Sequence, residues 1–163
     1  MNEEPVVRLE LPARPEGVGV VRQALVGVAD GLALDAAVLA DAKMAVTEAC
    51  TNAVVHAYDD HSGQLEVEML ADEEALTVVV RDRGLGIQPR PSRAGSTALG
   101  LGLPLIAALS DAFEVRGGPG AGTEVRMTFR YERDLDPVSD NPITGAPGAT
   151  GRWDPEPDPD DAA

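Results

Sequence analysis

Several residue types on which common chemistries depend are scarce in this sequence. Its 163 residues include one lysine, Lys43, against twelve arginines, one cysteine, Cys50, and two histidines, His56 and His61. A phosphate-binding loop of the G-x-x-x-x-G-K-S/T form needs its lysine, and an ordinary protein kinase needs a strand lysine and an HRD loop. None of these is present, so any use of a nucleoside triphosphate must rest on another device. A single cysteine excludes an intramolecular disulfide, and Cys50 reads as a small buried helical side chain. The two histidines lack a matching ligand set for a zinc-type site. Aromatic residues make up only 3% of the chain, so the expected core is built of Ala, Val and Leu. No apolar run is long enough to span a bilayer, and the acidic start MNEEPVVRLE does not resemble a signal peptide, so a cytoplasmic protein without a membrane partner is expected. A formal net charge of −15 argues against nucleic acid as the main partner, because neutralising phosphates takes clustered Lys and Arg.

What is present reads as one domain followed by a tail. Residues 5–11 alternate Val7, Leu9 and Leu11 against Arg8 and Glu10, as a half-buried strand should. Pro15 precedes a helix with Val18, Val21, Leu25 and Val28 at helical spacing, and Gly31 is a plausible stop. Asp35 has the character of an N-cap for a second helix running to about Ala57. A hairpin follows, with Leu65, Val67 and Met69 alternating with Gln64, Glu66 and Glu68, an acidic turn, and then ALTVVVRD. That second strand is apolar on both faces, which predicts a central position in the sheet. Residues 88–97 are polar and rich in Pro, Gly and Ser, and read as a mobile loop. GLGLPLIAALS reads as a short helix with Pro104 in its first turn, AFEVRG as a strand, and TEVRMTFRY as a strand with Val125, Met127, Phe129 and Tyr131 on one side. From 132 to 163 the chain is rich in Pro, Gly and Asp, holds nine acidic and two basic residues, and shows no period. Such a stretch buries too little to offset its ordering entropy, so 132–163 is expected to be a disordered tail, with Trp153 its lone aromatic. The order of elements predicts an α+β fold: a two-layer sandwich of a mixed, mostly antiparallel sheet with helices on one face, over residues 1–131.

Three stretches could carry chemistry. In EACTNAVVHAY, Glu48, Asn52 and His56 are spaced four apart, which keeps them on one helix face, with Ala45, Val46, Ala49 and Ala53 beside them. In RDRGLGI, Asp82 closes a strand and Gly84 and Gly86 permit a tight turn and close backbone approach. In GLGL, Gly100 and Gly102 open a helix whose free N–H groups suit a phosphate. Gly122 and Thr123 stand at the mouth of the last strand. Each has a plain structural explanation as well: a solvated stripe, a turn, a flexible helix entry, an ordinary strand start. Their joint occurrence in this order is much harder to ascribe to accident.

Together these stretches resemble the ATP-binding domain of the GHKL type (the Bergerat fold), and within it the bacterial anti-sigma factor serine/threonine-protein kinases, over roughly residues 5–131. EACTNAVVHAY is similar to that family's N-box, RDRGLGI to its first glycine box, LGLGLPLI to its second, and GTEVRMTF to its last. The resemblance implies a role for each position. Asn52 would coordinate Mg²⁺ bridging the ATP phosphates, and Glu48 would act as general base toward a protein serine or orient it for in-line attack. Asp82 would accept the adenine amine with Thr123 beside it, and Gly84 and Gly86 would let the backbone approach base and ribose. Gly100, Gly102 and Leu103 would cradle the phosphates, and Arg90 and Arg93 would lie in the loop over ATP. His56 lies on the ATP-site helix rather than on a separate helical hairpin, which disfavours it as a phospho-acceptor.

The implied activity is an ATP- and Mg²⁺-dependent serine kinase that is also an anti-sigma factor. It would phosphorylate a STAS-domain antagonist and sequester a sigma factor in a partner switch, and the family's habit of dimerising implies a homodimer. A nucleotide-binding protein that sequesters its partner without significant kinase activity is the alternative. A detached ATPase half of a histidine kinase is disfavoured by the missing acceptor module.

Overall fold

A computed structural model describes residues 4–58, 63–86 and 102–132. Backbone contacts divide the chain into Met1–Arg133 and Asp134–Ala163, and every described residue belongs to the first part. The tail expected from 132 onward, with Trp153, therefore lies outside the described residues except for Glu132. The loop at 88–97 lies outside them as well.

The elements follow in the predicted order: β1 (Val7–Pro12), α1 (Pro15–Gly31), α2 (Ala36–His56), β2 (Gln64–Ala71), β3 (Ala75–Asp82), α3 (Gly102–Leu109), β4 (Ala112–Gly117) and β5 (Thr123–Arg130). The five strands form one sheet in the order β1-β2-β3-β5-β4, so the doubly apolar strand is indeed the central one. Each of these pairings is antiparallel, in keeping with the mostly antiparallel sheet expected. The reason lies in the connections: β1 and β2 are bridged by a two-helix excursion that returns the chain in the opposite direction, and β2–β3 and β4–β5 are hairpins.

Period-2 alternation decides which strand residues face the helices. Leu65, Val67 and Met69 of β2, Leu76, Val78 and Val80 of β3, and Val125, Met127 and Phe129 of β5 pack with the buried stripe of α1 (Val21, Leu25, Val28) and that of α2 (Ala42, Ala45, Val46, Ala49, Cys50, Ala53, Val54). This makes the two-layer α+β sandwich. Truncating a fully buried member such as Leu25 or Phe129 to alanine should cost about 2–5 kcal/mol. Burial pushes the Cys50 thiol up to about 12, so it behaves as a small apolar side chain.

Two helix ends depart from expectation. Asp35 occupies the N-cap position of α2 but makes no side-chain capping bond. Gly31 is the last residue of α1 rather than its stop. The chain turns at Ala33, which takes a left-handed φ of 53°, while the Leu34 N–H donates to the Ala29 carbonyl at 2.9 Å.

The sheet face away from the helices is a lattice of charge. Arg81 of β3 donates to Glu124 of β5 and to Glu68 of β2, both at 2.6 Å, and more weakly to Glu66 at 3.3 Å. Glu68 also pairs with Arg8 of β1. Val79, on the same face and opposite Glu68 in the register, is fully buried. At the domain's end, the Tyr131 hydroxyl donates to the Asp72 carbonyl at 2.6 Å and its N–H to the Glu74 carbonyl at 2.9 Å, latching the exit of β5 to the β2–β3 turn.

Candidate functional site

The i, i+4 spacing of α2 divides its circumference. Its small buried residues face the sheet, while Glu48, Asn52 and His56 emerge half-buried on the flank toward α3. Because Ala49, Ala53 and Ala57 carry so little volume, α2 leaves open space over the ends of β3 and β5. That space is a cavity of about 170 Å³. Val80 and Val125 form its apolar floor, Asn52, His56, Asp82 and Thr123 supply polar groups, and Leu85, Gly86, Gly102 and Leu103 complete its rim. An apolar pocket with a few convergent polar groups is the usual form of a small-molecule site.

At its inner end, Asp82 and Thr123 face one another across the β3–β5 ladder. Asp82 accepts the Gly84 N–H at 3.0 Å and is also hydrogen-bonded by Thr123. Burial raises the Asp82 carboxyl above its ordinary value, and these hydrogen bonds only partly offset that. A half-buried carboxylate kept partly desolvated is a strong acceptor for a ligand N–H.

The glycines around it differ in what they do. Gly84 is pressed against the Ala57 carbonyl, where a Cβ would collide with backbone, so it packs the turn onto the end of α2 and does not itself line the cavity. The next N–H, of Leu85, donates to the Ala57 carbonyl at 2.8 Å, and the Leu85 carbonyl accepts from Gly120 at 2.9 Å. Gly86 and Gly122 take positive φ values of 71° and 73°, and a Cβ on either would strike the carbonyls of Gly118 or Asp82. Backbone thus lies directly on backbone here, which only glycine allows.

At the other end of the cavity α3 begins at Gly102. A Cβ built there would lie 2.5 Å from Glu48 Oε1 and 2.9 Å from Asn52 Nδ2. The first residue of α3 therefore abuts the carboxylate and carboxamide of α2, bringing a helix N-terminus to the two polar groups best suited to phosphate chemistry. Leu103 lines the rim and is 36% exposed. Gly100, Arg90, Arg93 and His61 lie outside the described residues.

Among the described residues no group of three or more His, Cys, Asp or Glu could hold a metal ion. Asn52 beside Glu48 still fits Mg²⁺, which keeps much of its water and takes one or two protein oxygens together with ligand phosphates. The apolar floor, Val80 and Val125, was not singled out from the sequence. Strand alternation assigns both to the core, and the gap left by Ala49 and Ala53 of α2 and Ala57 just beyond it opens them to a ligand.

A family model described as histidine kinase-like ATPase domain matches residues 11–129. The curated serine-protein kinase RsbW of Bacillus pumilus is 35% identical over 149 residues, covering 82% of this chain and 92% of the relative. Its counterpart from Bacillus subtilis is 36% identical over 140 residues, covering 78% and 86%. Among solved structures, the RsbU and RsbW domains of a Mycobacterium tuberculosis protein superpose with a TM-score of 0.56 at 24% identity, over 78% of this chain and 33% of that one. The histidine kinase domain of a blue-light activated kinase from Erythrobacter litoralis gives 0.51 at 23%, over 74% and 62%. At these identities the two structures bear on the fold alone.

Proposed function

The chain belongs to the histidine kinase-like ATPase domain family, and from that membership we propose that it is an ATP-dependent serine-protein kinase and anti-sigma factor. The observation that carries the reading is the meeting of Glu48 and Asn52 with the start of α3 at one end of a cavity whose other end is the Asp82–Thr123 pair. Curated relatives named serine-protein kinase, similar over most of their own length, support the reaction type.

In this reading the adenine enters the apolar slot over Val80 and Val125, and Asp82 accepts its exocyclic amine with Thr123 alongside. The phosphates run toward α3, whose N–H groups from Gly102 and Leu103 face them. Mg²⁺ would be held through the Asn52 carboxamide oxygen and, when bound, would neutralise charge on the phosphates. Glu48 takes the proton of an incoming protein serine as its Oγ forms a bond to the γ-phosphorus, and the bond from that phosphorus to the bridging oxygen breaks, leaving ADP. The acceptor is a STAS-domain antagonist and the sequestered partner a sigma factor. The protein works in the cytoplasm as a homodimer in a partner switch, with ATP against ADP biasing which partner is held.

The test is equilibrium ATP binding with and without Mg²⁺ in wild type and Asn52→Ala, followed by labelled-phosphate transfer to candidate STAS proteins in wild type and Glu48→Ala. Mg²⁺-dependent binding weakened by Asn52→Ala, with acid-stable label on a serine that Glu48→Ala abolishes, supports the kinase. Tight binding without transfer would replace it with a nucleotide-gated sequestering protein.

A further inference from the structure

Tyr58 stands just beyond α2, and its phenol joins two pieces of backbone distant in sequence. It donates to the Gln64 carbonyl at 2.6 Å, at the start of β2. It also accepts the Arg83 N–H at 2.8 Å. Arg83 is the residue between Asp82 and Gly84, so the phenol grips the turn one residue from the carboxylate. Gly63 lies flat against the Tyr58 ring, where a Cβ would collide with it, and the Gly63 carbonyl is held by the Ala13 N–H at 2.8 Å. The ring is therefore backed by the chain returning into β2, with its hydroxyl held between Gln64 and Arg83.

The turn also rests on the Ala57 carbonyl through the Leu85 N–H, a bond that backbone alone supplies and that almost any sequence would keep. Asp82 is paired in the sheet on one side of Arg83, and Leu85 is held through both its N–H and its carbonyl on the other. Between these points the Arg83 N–H needs an anchor of its own to fix the plane in which the strand turns away from Asp82. The Tyr58 phenol is that anchor, and the Asp82 carboxylate lies on the strand side of it. Water could satisfy the Arg83 N–H if the phenol were absent, but water cannot fix its position.

Granting Asp82 the part in base recognition given above, we propose that Tyr58 is a positioning residue for nucleotide selectivity: its phenol, held by Gln64, sets where the Asp82 carboxylate meets the exocyclic amine of the base. Tyr58 touches no part of the bound nucleotide in this scheme and acts through the Arg83 backbone. Its removal should therefore weaken ligands that use the amine and spare those that lack it.

The experiment is equilibrium binding of ATP and of purine riboside triphosphate, which has the same ring without the amine, to the full chain as wild type, Tyr58→Phe and Asp82→Asn. Wild type should favour ATP, and Asp82→Asn, which keeps only a neutral acceptor, should narrow that preference. Tyr58→Phe should weaken ATP about fivefold, the worth of one modest hydrogen bond, and leave the amine-free analogue within about twofold. Amide hydrogen exchange gives the second readout: Arg83 should exchange faster in Tyr58→Phe while Val80, in the central strand, is unchanged. Equal weakening of both nucleotides, or faster exchange throughout the sheet, would make Tyr58 a merely structural residue and overturn the proposal while leaving Asp82's role intact. A wild type that binds the two nucleotides alike, with Asp82→Asn without effect, would instead remove the base-recognition reading, and the proposal with it.

Discussion

Replacing Gly102 with alanine separates stability from activity because of what its missing side chain leaves room for. The residue begins α3 and has no left-handed φ, so the backbone accepts a Cβ without strain. The added methyl would sit 2.5 Å from Glu48 Oε1 and 2.9 Å from Asn52 Nδ2. An ordinary contact begins near 3.4 Å, so the carboxylate must retreat by about 0.9 Å (3.4 less 2.5) and the carboxamide by about 0.5 Å (3.4 less 2.9). Both are ends of rotatable side chains, so the retreat costs the fold little. Alanine is meanwhile the better helix former by up to about 1 kcal/mol in a helix interior, and by less at a first residue. The thermal midpoint should hold or rise by up to about 3 °C. Catalysis should not hold, because a displacement near 1 Å in a positioned group costs on the order of 100-fold. Differential scanning calorimetry and single-turnover phosphate transfer at saturating ATP and Mg²⁺ measure the two effects. Transfer within threefold of wild type, in a variant as stable as wild type, would refute the placement of Glu48 and Asn52 against α3.

Further outcomes follow from other contacts. Gly86→Ala forces a side chain into φ 71° and against the Gly118 carbonyl, which is backbone and cannot step aside; urea titration should show a loss of about 2 kcal/mol or more, and ATP binding should fall with it. Nucleotide affinity should decline on acidification from a higher pH than an ordinary aspartate near 3.8 would give, because burial raises Asp82 and its protonated form no longer offers a full acceptor; Asp82→Asn should flatten the titration followed by fluorescent-nucleotide binding. The Arg81 hydrogen bond holds Glu68 below its usual 4.5 against the opposing effect of burial. A depressed carboxyl contributes stability that is present above about 4.5 and is lost as pH falls through the lowered value. Arg81→Met should therefore destabilise the domain more at pH 7 than at pH 4, by about 1–3 kcal/mol at the higher pH, and unfolding curves at the two values check the sign.

How far the sequence spoke depended on the range of each interaction. Val7, Leu9 and Leu11 announce β1, and Val21, Leu25 and Val28 announce the buried stripe of α1, because strand and helix periods are local. The clustering of Glu48, Asn52 and His56 is local too, being one helix face. The doubly apolar run in β3 predicted a central strand, and Val79 is indeed buried although its face is the one that carries the charges. That lattice was not legible: Arg81 meets Glu68 and Glu124 only through strand register, which no local pattern specifies. Ala33 hides its left-handed turn behind a residue that disfavours one, so Gly31 drew attention instead. The contact of Gly102 with Glu48 spans 54 residues, and that of Tyr58 with Arg83 spans 25. Neither has a sequence signal of its own. The glycines advertised tight turns, but not which of them bear on ligand space and which, like Gly84, bear on a neighbouring carbonyl.

The position of β5 has a consequence for how the molecule comes into being. The last strand among the described residues inserts beside the central one, pairing with β3 on one side and β4 on the other. Until it arrives, the Asp82 edge has no Thr123 opposite it, and Val125, Met127 and Phe129 are missing from the hydrophobic layer under the helices. On a ribosome the first three strands and both long helices would emerge with that seam open and its apolar rows bare to chaperones. Closure would come in one late step, once Tyr131 had cleared the exit tunnel and could latch onto the β2–β3 turn. The cavity is then a late product of folding: a nascent chain ending short of β5 lacks Thr123 and Val125 and so has neither its full floor nor the partner of Asp82.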